Sequence, residues 1–214
     1  MKRIDSQVSP DVLVAAAQCA RAALAQELVA CDWGATAGDL NWTARETLDH
    51  MCNALALYTL HLGTRARERL PAPRNGDRTA SIADLLVLLE GLAKVLAEVA
   101  RATPSGTRAF HPAGMADAEG FLAMGCDEIL VHTADIIQGF GSSFRPPDEM
   151  TTRVLLRLFP WAPAGDSWEA LLWANGRLAL PGHPRLGEDW YWHCAPLIEW
   201  DGKVKKRTAP PAWS

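Results

Sequence analysis

Two helical segments of this 214-residue chain each carry a carboxylate and an imidazole four positions apart. The first pair is Glu46 and His50, and the second is Glu128 and His132. Residues at this spacing lie one turn apart on one face of a helix, near enough to bind a single metal ion. With 11 Glu and 6 His in the chain, random placement gives roughly 0.3 such pairs. Two pairs therefore favour a metal site, provided that the two helices face each other.

The two pairs are not equivalent, because Glu46 has a second explanation. The stretch from Thr43 to Glu46 matches a capping box, in which the threonine hydroxyl and the glutamate carboxylate each bind a free backbone N–H at a helix start. We therefore expect His50, rather than Glu46, to contribute from this helix.

The residues alone leave an alternative open for the second pair. Glu128 and His132 at helix spacing also form an exposed ion pair worth only about 0.3 kcal/mol, and His50 is then a buried histidine with satisfied hydrogen bonds. Periodicity does not identify the buried face of a helix, so the two interpretations weigh about equally. Polar groups on facing helices of a bundle favour a ligand or metal, because an unpaired buried polar group costs about 1–3 kcal/mol.

Four amphipathic segments precede residue 142, and each begins with a Ser, Thr or Asp that suits a helix start. They cover approximately residues 11–31, 43–62, 81–99 and 117–140, with a break at 71–76 and a long connection at 103–116. Strand signals are nearly absent. The pattern predicts an all-α fold, a four-helix bundle over residues 1–141 that carries the candidate site.

Residues 142–214 form an extension of different composition, in which short helices are predicted at about 150–159 and 166–180. Six of the nine tryptophans lie between Trp161 and Trp200. Asp201-Gly202 predicts a tight turn, with a small hairpin as an alternative. Because tryptophan contributes mainly buried area, we expect this Trp-rich extension to pack on the bundle or on a partner subunit, which leaves a homodimer open.

Composition narrows the function classes. A net charge of -4 argues against a nucleic-acid partner, and no segment approaches the length of a membrane span. Five widely spaced cysteines without a Cys-x-x-Cys pair suit reduced thiols. We expect a soluble, cytoplasmic protein without a signal peptide.

The stretch from Trp42 to His50, followed about eighty residues later by Glu128-Ile129-Leu130-Val131-His132-Thr133-Ala134-Asp135, resembles the mycothiol-dependent maleylpyruvate isomerase family. That family belongs to the DinB-like group of thiol-dependent metalloenzymes, and the resemblance covers approximately residues 8–141. It implies a DinB-like four-helix bundle in which His50, Glu128 and His132 bind a divalent metal, for which zinc is the first candidate.

The resemblance also implies a chemistry. Two histidines and one glutamate leave an open coordination position, as in catalytic zinc sites, and zinc lowers the pKa of a coordinated thiol or water. The implied cofactor is mycothiol or a similar low-molecular-weight thiol, which adds to a small electrophilic substrate for cis–trans isomerisation or S-transfer. A non-catalytic small-molecule-binding or stress-associated protein that keeps the bundle is the alternative. Characterised isomerases carry a C-terminal domain that residues 142–214 do not match, so the substrate stays open.

Other candidates carry weaker signals. Asp135 either orients His132 or lies on the surface. Cys52 and Cys126 lie near the proposed ligands in sequence, but buried free cysteines are common. Four histidines are predicted not to be ligands, one because it lies too far along its helix axis and three because they lie in loops or the tail: His61, His111, His183 and His193. Three loop arginines able to bind a carboxylate are expected to be solvated: Arg74, Arg78 and Arg145.

Overall fold

A computed structural model describes residues 7–71 and 77–207 of the chain. Six α-helices and one two-stranded sheet make up this part, which confirms the prediction of a predominantly helical fold. The helices are α1 (Pro10–Ala25), α2 (Ala44–Thr64), α3 (Ile82–Ala102), α4 (Ala118–Gly139), α5 (Asp148–Leu158) and α6 (Ser167–Ala174), and the strands are β1 (Ala109–His111) and β2 (Gly114–Ala116). A short 3-10 turn covers Leu197–Glu199.

The four long helices α1 to α4 pack around a common core. Helices α1 and α2 each contact both α3 and α4. Helix α4 also contacts α5, and most of its residues are buried, including both members of the second Glu–His pair. The face of α4 that packs against α2 is therefore buried. The sequence periodicity alone does not identify which face of α4 is buried. The DinB-like arrangement of the bundle stays a prediction.

The first residues of α2 and α4 determine where along the helix axes the candidate ligands lie. The predicted capping box of α2 is confirmed, because the backbone N–H of Glu46 donates to Thr43 Oγ1 at 3.1 Å and that of Thr43 donates to Glu46 Oε2 at 2.8 Å. At α4 the Asp117 carboxylate accepts from the backbone N–H of Gly120 at 2.8 Å. These caps fix where the second and fourth helices begin.

The expectation of a strand-free connection over residues 103–116 was wrong for 109–116. There β1 and β2 form an antiparallel hairpin through a two-residue turn at Pro112-Ala113. Three-residue strands are too short to show an alternating pattern, so the sequence gives no strand signal. The hairpin is held in place by its packing against α2 and by the backbone N–H of Phe110, which donates to the Ala66 carbonyl at 2.7 Å.

Helix α6 ends about six residues before its predicted end. Gly176 has a φ of +68°, a conformation that glycine adopts without strain. Its N–H donates to the Trp173 carbonyl and that of Arg177 donates to the Leu172 carbonyl, both at 2.8 Å. This pair of bonds is a Schellman motif, which stops the helix.

The predicted turn at Asp201-Gly202 is present, but the alternative hairpin is not formed among the residues that the structure describes. The backbone N–H of Lys203 donates to the Asp201 carboxylate at 3.1 Å, and the chain returns through a single isolated bridge between Trp190 and Lys206. The backbone N–H of Lys203 is thus satisfied by a side chain and not by a second strand.

The Trp-rich extension packs on α4. Its Trp168, Trp173 and Trp192 are buried in the common core. Arg157, which is only 1% exposed, donates to the Asp117 carboxylate at 2.5 Å and to the carbonyl of His193 at 3.1 Å. This arginine joins the start of α4 to the tail. None of the helices in the described ranges has the length and hydropathy that crossing a membrane requires.

Candidate metal centre

The structure brings His50 of α2 together with Glu128 and His132 of α4. Each side chain offers one ligand atom, and the three atoms lie within 4.8 Å of one another. Glu128 and His132 are both 8% exposed, whereas His50 is half-buried. The alternative of an exposed ion pair on the surface of α4 is therefore not what the structure shows.

One oxygen of Glu128 faces both imidazoles. Its Oε2 lies 3.2 Å from His50 Nε2 and 3.2 Å from His132 Nε2. Its Oε1 accepts a hydrogen bond from the buried Tyr58 hydroxyl at 2.9 Å. Because Tyr58 engages one oxygen, the other remains directed at the two ring nitrogens.

The far side of His132 is held by a buried ion pair. Its Nδ1 lies 2.9 Å from Asp135 Oδ2, and the Arg177 guanidinium donates to both Asp135 oxygens at 2.9 and 2.8 Å. Asp135 is 3% exposed and orients His132, so its alternative surface position is excluded. Since Nδ1 donates to Asp135, a neutral His132 presents its Nε2 lone pair to Glu128. Two acceptors then face each other at 3.2 Å, which a proton or a metal cation must resolve.

The charges at the site follow from these contacts. Burial lowers the pKa of His132, but the hydrogen bonds to Asp135 and Glu128 outweigh it and raise that pKa to about 9. Burial raises the pKa of Glu128, but the neighbouring His50 and His132 hold it well below its usual range. Without metal the pair is an imidazolium and a carboxylate, so a cation has to displace a proton.

A cavity of about 1000 Å³ opens beside the three candidate ligands. The Trp42 ring, on the wall next to them, lies with its centroid 4.7 Å from that of His50 and 6.2 Å from that of His132. The other apolar lining residues are Leu40, Ala54, Leu57, Leu70, Pro71, Pro112, Val131, Trp190 and Trp192. The candidate ligand atoms thus border a space with both apolar and charged walls, which is large enough for a small molecule.

Arginines also line this cavity, and only one of them was singled out from the sequence. Arg177 is paired with Asp135, as described above. The cavity-lining arginines are Arg45, Arg69, Arg78, Arg177 and Arg207. Of the loop arginines expected to be solvated, Arg78 is exposed at the cavity, Arg145 pairs with Asp148 and Asp166, and Arg74 lies outside the described residues.

A second buried carboxylate, Asp127, lies in the cavity wall next to Glu128. It accepts hydrogen bonds from Asn175 Nδ2 at 2.9 Å and Trp192 Nε1 at 2.8 Å. Burial raises the pKa of Asp127 to about 7, and these two bonds oppose the rise. Sequence reasoning missed Asp127, Asn175 and Trp192 because their contacts join positions 48 and 65 residues apart, where no local pattern exists.

Most of the weaker candidates lie away from the cavity. Cys52 and Cys126 are buried in the core, and burial raises the pKa of Cys52 to about 12. His61 accepts from the backbone N–H of Leu70 at 3.2 Å, and it does not line the cavity. His183 and His193 also lie outside the lining, whereas His111 is part of it.

The donor set fits a divalent metal. Two imidazole nitrogens and one carboxylate oxygen match the ligand types of zinc, and the cavity leaves one side open for a further ligand. No family model, curated protein or solved structure matches this chain. The assignment of the site therefore depends on its geometry and on the chemistry of its side chains.

Proposed function

We propose that this protein is a metal-dependent thiol-cofactor enzyme on a DinB-like bundle, similar to the mycothiol-dependent maleylpyruvate isomerase family. His50, Glu128 and His132 would hold a divalent metal, and zinc is the first candidate for it. The observation that carries the proposal is the buried Glu128 oxygen, which lies 3.2 Å from each of two imidazole nitrogens at the wall of a cavity.

The chemistry of such a site is the activation of a thiol. A zinc ion lowers the pKa of a coordinated thiol, so that a thiolate nucleophile is available at neutral pH. None of the five cysteines lines the cavity, so the thiol of the proposed reaction would come from a small molecule and not from the protein. Mycothiol or a similar low-molecular-weight thiol is the proposed cofactor.

The chain's own residues orient the ligands and shape the cavity. Tyr58 holds one oxygen of Glu128, and Asp135 fixes the ring of His132 with Nε2 toward the site. The Trp42 ring lies beside the two imidazoles and contributes an apolar wall next to them. A volume of about 1000 Å³ accommodates a thiol together with a small electrophile.

Addition of the thiolate to the electrophile leads to one of two products. The thiolate adds to one carbon of a conjugated C=C bond, and the π electrons of that bond move onto the adjacent carbonyl. The thiolate is expelled again after rotation about the resulting single bond, which is a cis–trans isomerisation, or the carbanion takes up the proton that the thiol released and the thioether remains, which is S-transfer. Both reactions use the same nucleophile and the same cavity, so one assay format covers them.

The test is thiol-dependent turnover by zinc-loaded protein. Mycothiol is incubated with a panel of small electrophiles, and thiol consumption and double-bond geometry are followed for the unaltered protein, His50→Ala and the matched control His183→Ala. His183 is exposed and outside the cavity lining, so this control should keep full activity.

The unaltered protein should turn over at least one electrophile, and His50→Ala should lose at least 100-fold in rate, the size of effect typical of removing one key catalytic group. Zinc-loaded protein that shows neither thiol consumption nor isomerisation across the panel would contradict the enzyme proposal. That result would favour a small-molecule-binding protein with the same bundle.

A further inference from the structure

His111 lies in the cavity wall, apart from the three candidate ligands, at the end of the hairpin's first strand. It is 3% exposed. Aromatic rings surround it on three sides, with centroid distances of 5.3 Å to Tyr58, 5.5 Å to Trp192 and 6.3 Å to Phe121. These contacts, drawn from α2, α4 and the tail, fix the orientation of the imidazole.

The hydrogen bonding of His111 determines its tautomer. The backbone N–H of Ala113 donates to His111 Nδ1 at 3.0 Å, so Nδ1 is an acceptor and a neutral ring carries its proton on Nε2. Among residues 7–71 and 77–207 no group accepts a hydrogen bond from this Nε2. Nor does Nε2 belong to the fully buried atoms without a partner, such as His61 Nδ1. Its N–H is therefore available to a molecule in the cavity.

The ring stays neutral across the physiological range. Burial lowers the pKa of His111 to about 3, the nearby His61 and Arg207 act in the same direction, and Glu128 opposes them. A neutral imidazole does not act as an acid or base near pH 7, but His111 is a fixed hydrogen-bond donor held among aromatic rings. Such a donor suits an uncharged carbonyl oxygen, and it strengthens when negative charge develops on that oxygen.

We infer that His111 is a specificity-determining residue that donates a hydrogen bond from Nε2 to a carbonyl oxygen of the small molecule in the cavity. The inference deepens the proposed function and rests on it for the identity of that molecule as the electrophile. The hydrogen bond itself requires neither metal nor thiol. The failure of one proposal can therefore be told from the failure of the other.

Acetophenone and ethylbenzene are suitable probes, because both are small phenyl compounds with a two-carbon substituent and only acetophenone has a carbonyl. Their binding to the full chain is measured with zinc and after treatment with a chelator, for the unaltered protein, His111→Phe, His111→Gln and the control His183→Phe. The metal-free arm excludes coordination of the ketone by zinc.

The infrared carbonyl stretch of bound acetophenone should lie at lower frequency than in an aprotic solvent, with and without zinc. His111→Phe should remove this shift and weaken acetophenone binding about 2- to 10-fold, the value of one net hydrogen bond, while ethylbenzene binding is unchanged. His111→Gln should restore part of the shift, because its amide supplies a donor. His183→Phe should behave like the unaltered protein.

A measurement on the unaltered protein does not depend on how the variants fold. Two-bond ¹⁵N–¹H correlations should show the Nε2-protonated tautomer of His111 from pH 6 to 8 and a downfield shift of the Nε2 proton when acetophenone is added. An Nδ1-protonated ring would overturn the inference. So would a failure of acetophenone to bind, or an unchanged carbonyl band in a folded His111→Phe variant. Benzoate binding that is insensitive to His111→Phe, without ketone binding, would assign the cavity to carboxylates and also overturn it.

Discussion

At the scale of single residues, the arrangement around Glu128 separates the groups that would touch a metal from those that hold them. Tyr58 donates to the oxygen of Glu128 that does not face the imidazoles. Without this bond, the carboxylate loses one of the contacts that orient it, and a buried acceptor loses its partner. The positioning role of Tyr58 is therefore separable from that of the ligands.

Tyr58→Phe should weaken zinc binding about tenfold, because partners that orient metal ligands contribute factors of 10 to 100 in affinity. The measurement is competition for zinc with a chromophoric chelator at fixed pH. Tyr191→Phe changes the chain's other tyrosine, which lies outside the cavity lining, and serves as the control. Equal zinc affinity in all three proteins would show that Tyr58 does not position Glu128.

The proton on His132 makes zinc affinity dependent on pH. Asp135 and Glu128 overcome the effect of burial and raise the pKa of His132 to about 9. In the metal-free protein this raised pKa stabilises the folded state fully below the unfolded value of about 6.5, and the contribution is lost as the pH rises to about 9. Zinc has to displace this proton, so it binds more weakly wherever the proton is present.

Zinc affinity should therefore fall about tenfold per pH unit for this one proton, or about 100-fold from pH 8.5 to 6.5. Competition titrations across that range give the slope. Asp135→Asn removes one cause of the raised pKa, so its affinity should begin to fall at a lower pH. A zinc affinity that does not change with pH in the unaltered protein would mean that the metal does not displace a proton from His132.

Residue spacing pointed to two of the three candidate ligands but not to the residues that support them. Glu128 and His132 are four positions apart on one helix, so local periodicity was sufficient to pair them. Tyr58 is 70 positions from Glu128, and Arg177 is 42 positions from Asp135. Contacts of this kind depend on how helices and tail pack, and no local pattern in the sequence encodes them.

At the scale of secondary-structure elements, one glycine of α4 lies in close contact with the tail, whereas one glycine of α3 faces open space. A Cβ on Gly120 would lie 2.1 Å from the Cys194 carbonyl oxygen and 2.9 Å from Asp117 Oδ1, so the tail packs directly on the backbone of α4. Gly91 on α3 is exposed, and a Cβ there would meet nothing within 4 Å.

Gly120→Ala should lower the free energy of unfolding by about 1–3 kcal/mol through overpacking. Gly91→Ala should raise it by about 0.5–1 kcal/mol, because alanine is the better residue in an open helical position. Urea denaturation of both variants is the measurement. Equal effects at the two positions would contradict the close packing of the tail on α4.

The element boundaries show which signals the sequence carried. The capping box of Thr43 and Glu46 was readable because both partners lie within four residues. Gly176, which ends α6, is an equally local helix-stop signal, but the apolar pattern that continues to Leu180 predicts a longer helix. The hairpin at 109–116 gave no signal, since its position depends on the contact between Phe110 and Ala66.

At the scale of the whole molecule, the candidate site joins parts of the chain that are far apart. Helix α2 supplies His50, α4 supplies Glu128 and His132, and the tail supplies Arg177, which holds Asp135. A metal at this site binds the folded chain and not the unfolded one. Occupancy should therefore stabilise the whole fold.

Zinc at 100 times its dissociation constant should raise the free energy of unfolding by about 2.7 kcal/mol. For a chain of this length that corresponds to a rise of about 5–10 °C in Tm. Thermal unfolding followed by circular dichroism, with zinc and with a chelator, gives the difference. His50→Ala should show no difference, and a similar rise in that variant would place the zinc elsewhere.

The fold class was predictable because four amphipathic segments with helix-start residues leave few arrangements other than helices around one core. Composition predicts that the Trp-rich extension is buried, but it does not choose between the bundle and a partner subunit as the surface that buries it. In this structure Trp192 donates to Asp127 and Arg157 pairs with Asp117. Both contacts join side chains more than 35 positions apart, so composition could indicate burial of the tail but not the surface that buries it.

The metal content of protein purified without chelator tests the central claim most directly. The unaltered chain and His183→Ala should each hold about one equivalent of a divalent metal. His50→Ala and Glu128→Gln should each hold less than about one tenth of an equivalent, because the two ligands that remain bind a metal much more weakly than three do. Elemental analysis by inductively coupled plasma mass spectrometry gives the stoichiometry. No stoichiometric metal in the unaltered protein, or equal metal in His50→Ala, would contradict the assignment of His50, Glu128 and His132 as a metal site.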